Sequence, residues 1–165
     1  MDARDLYYII EAHTFWYVNP NKAFRKWDGK TPYYVHPLWC ATMIATETAL
    51  DERTREEGIL ALLYHDVLED TRQPLPGWLS DRVKGLIEGM TFKNGSSQEM
   101  QEIWSRPREV RLYKLYDKAS NLLDGVWMDE QKRKKYQDYT RNLLEDAEQN
   151  YGALNITRIV RGILQ

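Results

Sequence analysis

A dense group of ionisable side chains follows an apolar run near the middle of this chain. The segment 64–71 reads YHDVLEDT, directly after the apolar residues 59–63. If the segment is helical, His65 lies one turn from Glu69, and Asp66 lies one turn from Asp70. Core packing gives a helix no reason to carry these charges. Because a bound cation would offset the repulsion between the carboxylates, the pattern predicts a metal site.

Two further side chains complete the predicted metal site. His36 precedes Pro37 at a point where a helix should begin, and Asp117 lies on a segment that otherwise presents leucine and alanine to a core. Neutral imidazoles and carboxylates together suit Mn, Fe, Zn or a similar divalent ion. We therefore expect His36 and Asp117 to hold one such ion with His65 and Asp66, at a place where three helices meet.

Ordinary structural roles compete with this interpretation. His36 can cap a helix, and Asp117 can pair with Lys114 or Lys118 on its own helix. These two lysines form a basic stripe with Arg111 that is read first as a solvated face, with phosphate contact as the alternative. Each structural role is common when taken alone. The acidic cluster that begins at the His-Asp pair favours the metal site over both.

The elements that must position these residues are helices. Apolar residues recur at helical spacing, and nothing alternates with period two over enough residues to predict a sheet. Proline and glycine place breaks at 19–21, 28–32 and 73–77. We predict helices at 6–13, from His36 toward Leu50, from an N-cap at Asp51 through the acidic cluster, and at 78–90, 110–126, 132–147 and 156–164. Segment 93–97 is expected to be a flexible loop.

Composition is that of one globular domain. The 165 residues are 42% hydrophobic and 29% charged, and the net charge of −2 leaves no basic footprint for nucleic acid. The lone Cys40 excludes a disulfide framework and fits a reducing compartment. No apolar run approaches the roughly 20 residues that span a bilayer, and the N-terminus lacks a signal peptide. We expect a single all-α domain over 1–165, located in the cytoplasm, with neither nucleic acid nor membrane as a partner.

Three stretches of the chain resemble the HD-domain metal-dependent phosphohydrolases, and more narrowly the hydrolase domain of the RelA/SpoT family and its small single-domain relatives. They are RK at 25–26 with TPYYVHP at 31–37, then LYHDVLEDT at 63–71, and KLYDKASNL at 114–122. The acidic extension after the His-Asp pair makes the match specific, because generic HD nucleotidases need not have it. The resemblance covers roughly residues 5 to 125 and implies a helical bundle with the metal between helices.

The resemblance also implies a reaction. The family removes the 3′-pyrophosphate from guanosine tetraphosphate (ppGpp) and pentaphosphate, the alarmones of the stringent response. Carried over by position, the metal ligands are the two histidines and two aspartates named above, and they hold one ion, Mn2+ before Zn2+ or Fe2+. Glu69 and Asp70 match the acidic pair that positions and deprotonates the attacking water. Arg25, Lys26 and Asn121 match the residues that bind the nucleotide, with the arginine on the base and the asparagine on the ribose.

The match departs from the family around the nucleotide. Ser120 and Asp124 stand where the family usually has His and Thr, and the aromatic-rich segment 14–21 looks inserted. These departures keep a second substrate class open, either a deoxynucleotide or the 2′-phosphate of a reduced nicotinamide dinucleotide. A non-catalytic HD binding module is a third possibility, against which the complete ligand set argues. His13 is expected to be a packed core histidine. The length leaves no room for a synthetase domain, so we expect a stand-alone hydrolase.

Overall fold

Nine α-helices and three short 3₁₀ helices make up the computed structural model, which describes all 165 residues. The only β pairing is two isolated bridges, Tyr17 with Thr71 and Phe24 with Pro32. The predicted all-α class is therefore confirmed. The helices are α1 (Ala3–Phe15), α2 (Val35–Ala45), α3 (Glu52–Tyr64), α4 (Val67–Asp70), α5 (Asp81–Met90), α6 (Ser96–Glu102), α7 (Arg108–Leu123), α8 (Glu130–Tyr151) and α9 (Asn155–Ile163).

Side-chain caps explain where several of these helices begin. Asp51 accepts a hydrogen bond from the backbone N–H of Thr54 at 2.9 Å, as predicted for the start of α3. Asp129 caps α8 in the same way, through the N–H of Lys132 at 2.7 Å. Pro37 lies in the first turn of α2, where its missing N–H removes no intrahelical bond. None of the helices combines the length and the apolar character that crossing a membrane requires.

Helix α7 is the centre of the bundle. It packs against α2, α3, α5, α8 and α9, and apolar side chains along its length are fully buried. Helix α3 crosses α2 and α7 at Gly58, where a Cβ atom would overlap Ile44 Cδ1 and lie 2.8 Å from Tyr113 Cε1. A glycine at this crossing lets the three backbones approach closely. The bundle thereby brings the start of α2 and the end of α3 to the same side of α7, where Asp117 lies.

Two predicted helix boundaries in the first half of the chain are wrong. Helix α2 ends at Ala45 rather than Leu50, and the helix predicted through the acidic cluster is divided into α3 and α4. The early end of α2 has a tertiary cause. Glu47 turns inward, where its carboxylate accepts hydrogen bonds from Tyr116 Oη at 2.9 Å and from the backbone N–H of Asn155 and Ile156 at 2.8 and 2.9 Å. This buried carboxylate ties α9 to α7.

Helix α6 occupies part of the segment expected to be a flexible loop. Its sequence SSQEMQE has no apolar periodicity, so the pattern did not predict a helix. Helix α6 is instead attached to α7 by Glu99, a buried carboxylate that lies 3.2 Å from Lys114 Nζ and 2.9 Å from Lys118 Nζ. Electrostatic contacts between distant segments leave no local pattern in a sequence.

Candidate metal centre and active site

The start of α2, the joint between α3 and α4 and the middle of α7 bring the predicted metal ligands together. His36 lies at the start of α2, His65 and Asp66 lie between α3 and α4, and one donor atom from each of these residues lies within 4.8 Å of the others. His36 Nε2 is 3.2 Å from His65 Nε2. Asp117 Oδ1, from α7, lies 3.3 Å from His36 Nε2 and 3.9 Å from His65 Nε2. The structure thus brings all four predicted side chains into one buried region, with His36, His65 and Asp66 as the compact group and Asp117 beside the two histidines.

The break between α3 and α4 places His65 and Asp66 at a joint in the backbone. Both residues keep right-handed helical φ and ψ, so the chain bends without losing its helical course. The N–H of Asp70 still donates to the Asp66 carbonyl at 2.8 Å. The acidic residues of α4 therefore follow the metal ligands by one turn.

Hydrogen bonds from outside the cluster orient its side chains. His65 Nδ1 lies 2.7 Å from the Leu62 carbonyl oxygen, which can only accept, so the proton belongs on Nδ1 and the Nε2 lone pair faces the cluster. His36 Nδ1 bonds Ser120 Oγ at 2.8 Å. Tyr33 Oη donates to Asp66 Oδ2 at 3.0 Å. Such outer contacts are typical of metal ligands, because they fix the ring orientation and the tautomer.

The charge state of the cluster suits a divalent cation. Burial lowers the pKa of His36 to about 4, so its ring is neutral at pH 7 and can ligate. Burial alone would raise the pKa of Asp117, but the Lys118 and Lys114 ammonium groups hold it well below its ordinary value. Lone pairs and ionised carboxylates repel one another at these distances. A divalent ion would offset that repulsion, and the buried His36, His65 and Asp66 group can hold one.

Two buried lysines support the aspartate from the far side. Lys114 Nζ lies 3.2 Å from Asp117 Oδ2, and Lys118 Nζ lies 3.1 Å from the same oxygen. The predicted pairing of Asp117 with these lysines and its place beside the histidines therefore coexist, through different carboxylate oxygens. The interpretation of Lys114 and Lys118 as a solvated face is wrong, because both are buried. Arg111 is half-buried and pairs with Asp146 outside the cavity.

A cavity of about 220 Å³ opens over the cluster. Asp66 and Asp117 line it, and the two histidines lie behind them. Its walls carry four carboxylates in total, those of Asp66, Glu69, Glu99 and Asp117, and six cations, Lys22, Arg25, Lys26, Lys114, Lys118 and Lys132. The excess of positive charge, to which a bound metal would add, suits a ligand with several negative charges.

The two acids of α4 occupy different environments. Glu69 lines the cavity and accepts a 2.6 Å hydrogen bond from the N–H of Phe92, and burial raises its pKa above the ordinary value. Asp70 lies behind the cavity wall, with its Oδ2 at 2.8 Å from Lys22 Nζ. Burial and the nearby Asp66 raise the pKa of Asp70, while Lys22 acts in the opposite direction. Glu69 is therefore the acid with direct access to a bound ligand.

The three predicted nucleotide-binding residues line the same cavity, and two of them, Arg25 and Asn121, contact each other. Arg25 Nε donates to Asp124 Oδ2 at 2.6 Å, and its terminal nitrogen donates to Asn121 Oδ1 at 3.0 Å. Asn121 Nδ2 in turn donates to Asp117 Oδ1 at 2.6 Å. Lys26 lies on the rim, with Nζ 4.4 Å from the centre of the Trp127 ring. A chain of hydrogen bonds thus connects Arg25 to the metal-ligand cluster.

Several residues of the cavity are absent from the predicted site. Lys22, Glu99, Lys132 and Tyr33 all line it, and the first three belong to no motif with recognisable spacing. Tyr33 lies within the stretch TPYYVHP, so its place next to His36 was a usable signal. The prediction that His13 is a packed core histidine is confirmed, since it is buried and its ring centre lies 5.3 Å from that of Tyr33.

Comparisons with known proteins agree with this geometry. No protein-family model matches the chain. It is similar to the guanosine-3′,5′-bis(diphosphate) 3′-pyrophosphohydrolase of Aquifex aeolicus (strain VF5), with 30% identity over 137 residues that cover 76% of this chain and 19% of the relative. The chain thus spans about a fifth of that protein's length.

A solved structure covers the chain more completely. A metazoan ortholog of SpoT that hydrolyses ppGpp and plays a role in starvation responses superimposes with a TM-score of 0.72 at 21% identity. The match covers 99% of this chain and 95% of the ortholog. At this level of identity the likeness concerns the fold. The chain therefore has the HD-domain, alarmone-hydrolase-like fold that its three motifs predicted.

Proposed function

We propose that this protein is a metal-dependent pyrophosphohydrolase that removes the 3′-pyrophosphate of guanosine tetraphosphate or pentaphosphate. One observation carries the proposal above all. The donor atoms of His36, His65, Asp66 and Asp117 converge beneath a cavity that presents Glu69 and six cations. The name of the Aquifex relative supplies the substrate and the reaction.

In this proposal the four converging side chains hold one divalent ion. Mn2+ is the first choice for that ion, and Zn2+ and Fe2+ are the alternatives. Such an ion, when bound, lowers the pKa of a water molecule and neutralises charge that builds on phosphoryl oxygens. The protein's own contribution is to keep the ligands in their binding form. Burial keeps His36 neutral, and Lys114 and Lys118 keep Asp117 ionised.

Glu69 is the proposed general base. Its carboxylate lines the cavity within one turn of Asp66, and its raised pKa brings it closer to the working pH, which favours proton transfer. It accepts a proton from the attacking water, whose oxygen bonds to the phosphorus on the ribose 3′-oxygen. The bond from phosphorus to the 3′-oxygen breaks, and the 3′-oxygen takes up a proton. The products are pyrophosphate and guanosine 5′-diphosphate, or guanosine 5′-triphosphate from the pentaphosphate. Asp70 lies behind the cavity wall on the side of Glu69.

The nucleotide end of the proposal depends on Arg25, Lys26 and Asn121. Arg25 is nearly fully buried and belongs to the cavity wall, so its guanidinium plane can stack on a base. Asn121 is one helical turn from Asp117, close enough for its amide to contact the ribose of a substrate whose phosphate lies at the metal. Lys26 adds a cation at the rim. We place this activity in the cytoplasm, in keeping with the buried free thiol of Cys40.

A nucleotide panel tests the proposal. The Mn2+-loaded protein is incubated separately with guanosine tetraphosphate, deoxynucleoside triphosphates and reduced nicotinamide dinucleotide phosphate, and products are identified by anion-exchange chromatography and mass spectrometry. We expect guanosine diphosphate and pyrophosphate from the first substrate. The matched control is Glu69→Gln, which removes the base without removing a ligand. Turnover of another nucleotide alone would replace the substrate, and no turnover by fully metal-loaded protein would overturn the proposed activity.

A further inference from the structure

The segment that looked inserted, residues 14–21, is attached to the chain that carries the catalytic acids. The N–H of Val18 donates to the Asp70 carbonyl at 2.9 Å, and the N–H of Arg72 donates to the Trp16 carbonyl at 2.8 Å. Tyr17 and Thr71 form the antiparallel bridge between these two bonds. The segment is thus held in register with the end of α4. The residues that follow the segment therefore lie on the side of the cavity that carries the acids of α4.

Lys22 is the residue that this segment places at the acidic side of the cavity. It ends a 3₁₀ helix that spans Pro20–Lys22 and is capped by Asn19, whose side chain accepts from the N–H of Asn21 at 2.9 Å. Lys22 Nζ then lies 2.8 Å from Asp70 Oδ2 and 3.3 Å from Tyr33 Oη. The same tyrosine hydroxyl donates to the metal-ligand residue Asp66. Lys22 is therefore in contact with the second acid and separated from the metal cluster by one side chain.

The surroundings of Lys22 differ from those of a simple buried ion pair. Its side chain is 34% exposed, whereas that of Asp70 is only 6% exposed, and Lys22 lines the cavity next to Asp66 and Glu69. An ammonium has three N–H donors, and the protein supplies two acceptors. One donor remains for a ligand in the cavity. Because an ammonium is a strong partner for phosphate, that ligand would be a phosphoryl oxygen.

We propose that Lys22 contacts the pyrophosphate group of the substrate, with Asp70 and Tyr33 fixing its ammonium in place. The inference rests on the proposed function and extends it to a residue outside the three motifs. It also assigns a role to the segment 14–21, since that segment positions the lysine at the end of the cavity where the metal ligands lie. Lys22 would add positive charge on the side where Asp66 and Glu69 otherwise place only carboxylates.

The test measures binding of inorganic pyrophosphate to Mn2+-loaded protein by titration calorimetry, together with kcat/KM for guanosine tetraphosphate. Lys22→Met should weaken pyrophosphate binding and lower kcat/KM by roughly 10- to 100-fold, the scale of one hydrogen bond to a charged group. Lys22→Arg should restore part of both, and Lys22→Gln, measured in parallel, guards against a folding defect peculiar to one variant. The matched control is Lys30→Met, an exposed lysine that does not line the cavity.

The Asp70→Asn background separates contact with phosphate from simple neutralisation of Asp70. If Lys22 contacts phosphate, Lys22→Met weakens pyrophosphate binding in this background as well. An unchanged affinity there, or unchanged kcat/KM in the single variants, would overturn the inference while leaving the proposed function intact. Failure of the unmodified protein to bind pyrophosphate or to hydrolyse the alarmone would instead count against the proposed function itself.

Discussion

The two ends of the cavity are built differently. At the metal end, side chains from α2, from the joint between α3 and α4, and from α7 converge. Leu62, Ser120 and Tyr33 hydrogen-bond to His65, His36 and Asp66 from outside the cluster. At the nucleotide end, Arg25 and Asn121 form hydrogen bonds with other residues of the protein. The metal end is therefore ready to receive an ion, whereas the nucleotide end must exchange internal bonds for contacts with its ligand.

This difference separates chemistry from selectivity. Metal ligands must be held rigidly, because the ion needs several donors at one point. A contact with the base is one of several contributions to the binding free energy of the nucleotide. Here Asp124 competes with the base for the guanidinium of Arg25. Residue 124 is also a place where the chain departs from the family pattern. We therefore expect changes at the metal end to abolish turnover and changes at the nucleotide end to shift substrate affinity.

The largest effect is expected from removing a metal ligand. His65→Ala or Asp66→Ala should lower kcat/KM by roughly 10³-fold or more, because metal assistance is worth several kcal/mol. Each variant should also lose the added stability of the metal-bound protein. An ion at about 100 times its Kd contributes about 2.7 kcal/mol, or roughly 5–10 °C in Tm for a chain of this size.

The measurements are metal content by mass spectrometry and Tm by calorimetry. His13→Phe is the matched control, since it changes a buried histidine that lies outside the donor set. Undiminished metal content in both ligand variants would show that the ion binds elsewhere.

The next effect is expected at Glu69. Glu69→Gln should retain the metal but lower kcat by roughly 10²-fold or more, the scale of general-base removal. The pH dependence has a definite sign. A base must be ionised to act, so the rate of the unmodified protein should fall as pH falls through the pKa of Glu69. Because burial raises that pKa, the fall should begin at a higher pH than for an exposed glutamate.

This prediction is checked with kcat profiles recorded at saturating Mn2+, with metal content measured at each pH. Loss of the ion at the same pH as loss of rate would assign the fall to the ligands. A Glu69→Gln variant that keeps full turnover would exclude Glu69 as the base.

A smaller effect is expected from Arg25→Ala and Asn121→Ala. Each should raise KM with metal content unchanged, and the loss of one contact of about 1–3 kcal/mol corresponds to roughly 5- to 150-fold in kcat/KM. Steady-state kinetics on metal-loaded protein supply the measurement. Kinetics equal to those of the unmodified protein in both variants would place the nucleotide elsewhere. The metal-dependent activity would survive that result, whereas the assignment of the alarmone would not.

The smallest effect is expected from Lys26→Ala. Lys26 lies on the exposed rim over Trp127, where an ionic contact is worth about 0–1 kcal/mol, so KM should rise by at most roughly 5-fold. Added salt should reduce the difference between the two proteins. Lys134→Ala, an exposed lysine that does not line the cavity, is the matched control. A loss of more than 100-fold would show that Lys26 contributes more than a rim charge.

The contrast between the two ends also explains what the sequence could predict. His65, Asp66, Glu69 and Asp70 lie close together along the chain, so their types and spacing are enough to indicate a site. His36 and Asp117 are recognisable through residue type and the resemblance of their flanking residues. The apolar periodicity of α5, α7, α8 and α9 predicted those helices, with boundaries displaced by a few residues where caps and 3₁₀ turns decided the ends.

The remainder depends on tertiary contacts that leave no local pattern. Glu99 became part of the cavity because α6 packs its one buried carboxylate against Lys114 and Lys118. Those lysines were interpreted as a solvated stripe, because the sequence around a lysine does not distinguish a buried ion pair from a charge exposed at the surface. Glu47 ended α2 early because its partners lie on α7 and α9, more than sixty positions away. The sequence did not predict a role for Lys22, because its hydrogen-bond acceptors, Tyr33 and Asp70, lie in two other segments of the chain.

One measurement tests the central claim most directly. A crystal of the Glu69→Gln variant, soaked with Mn2+ and guanosine tetraphosphate, is measured at a wavelength where manganese scatters anomalously. We predict one anomalous peak among His36, His65, Asp66 and Asp117, with the 3′-pyrophosphate next to it and the base against Arg25. A peak away from these four residues, or a nucleotide bound with its 5′-phosphates toward the ion, would contradict the account.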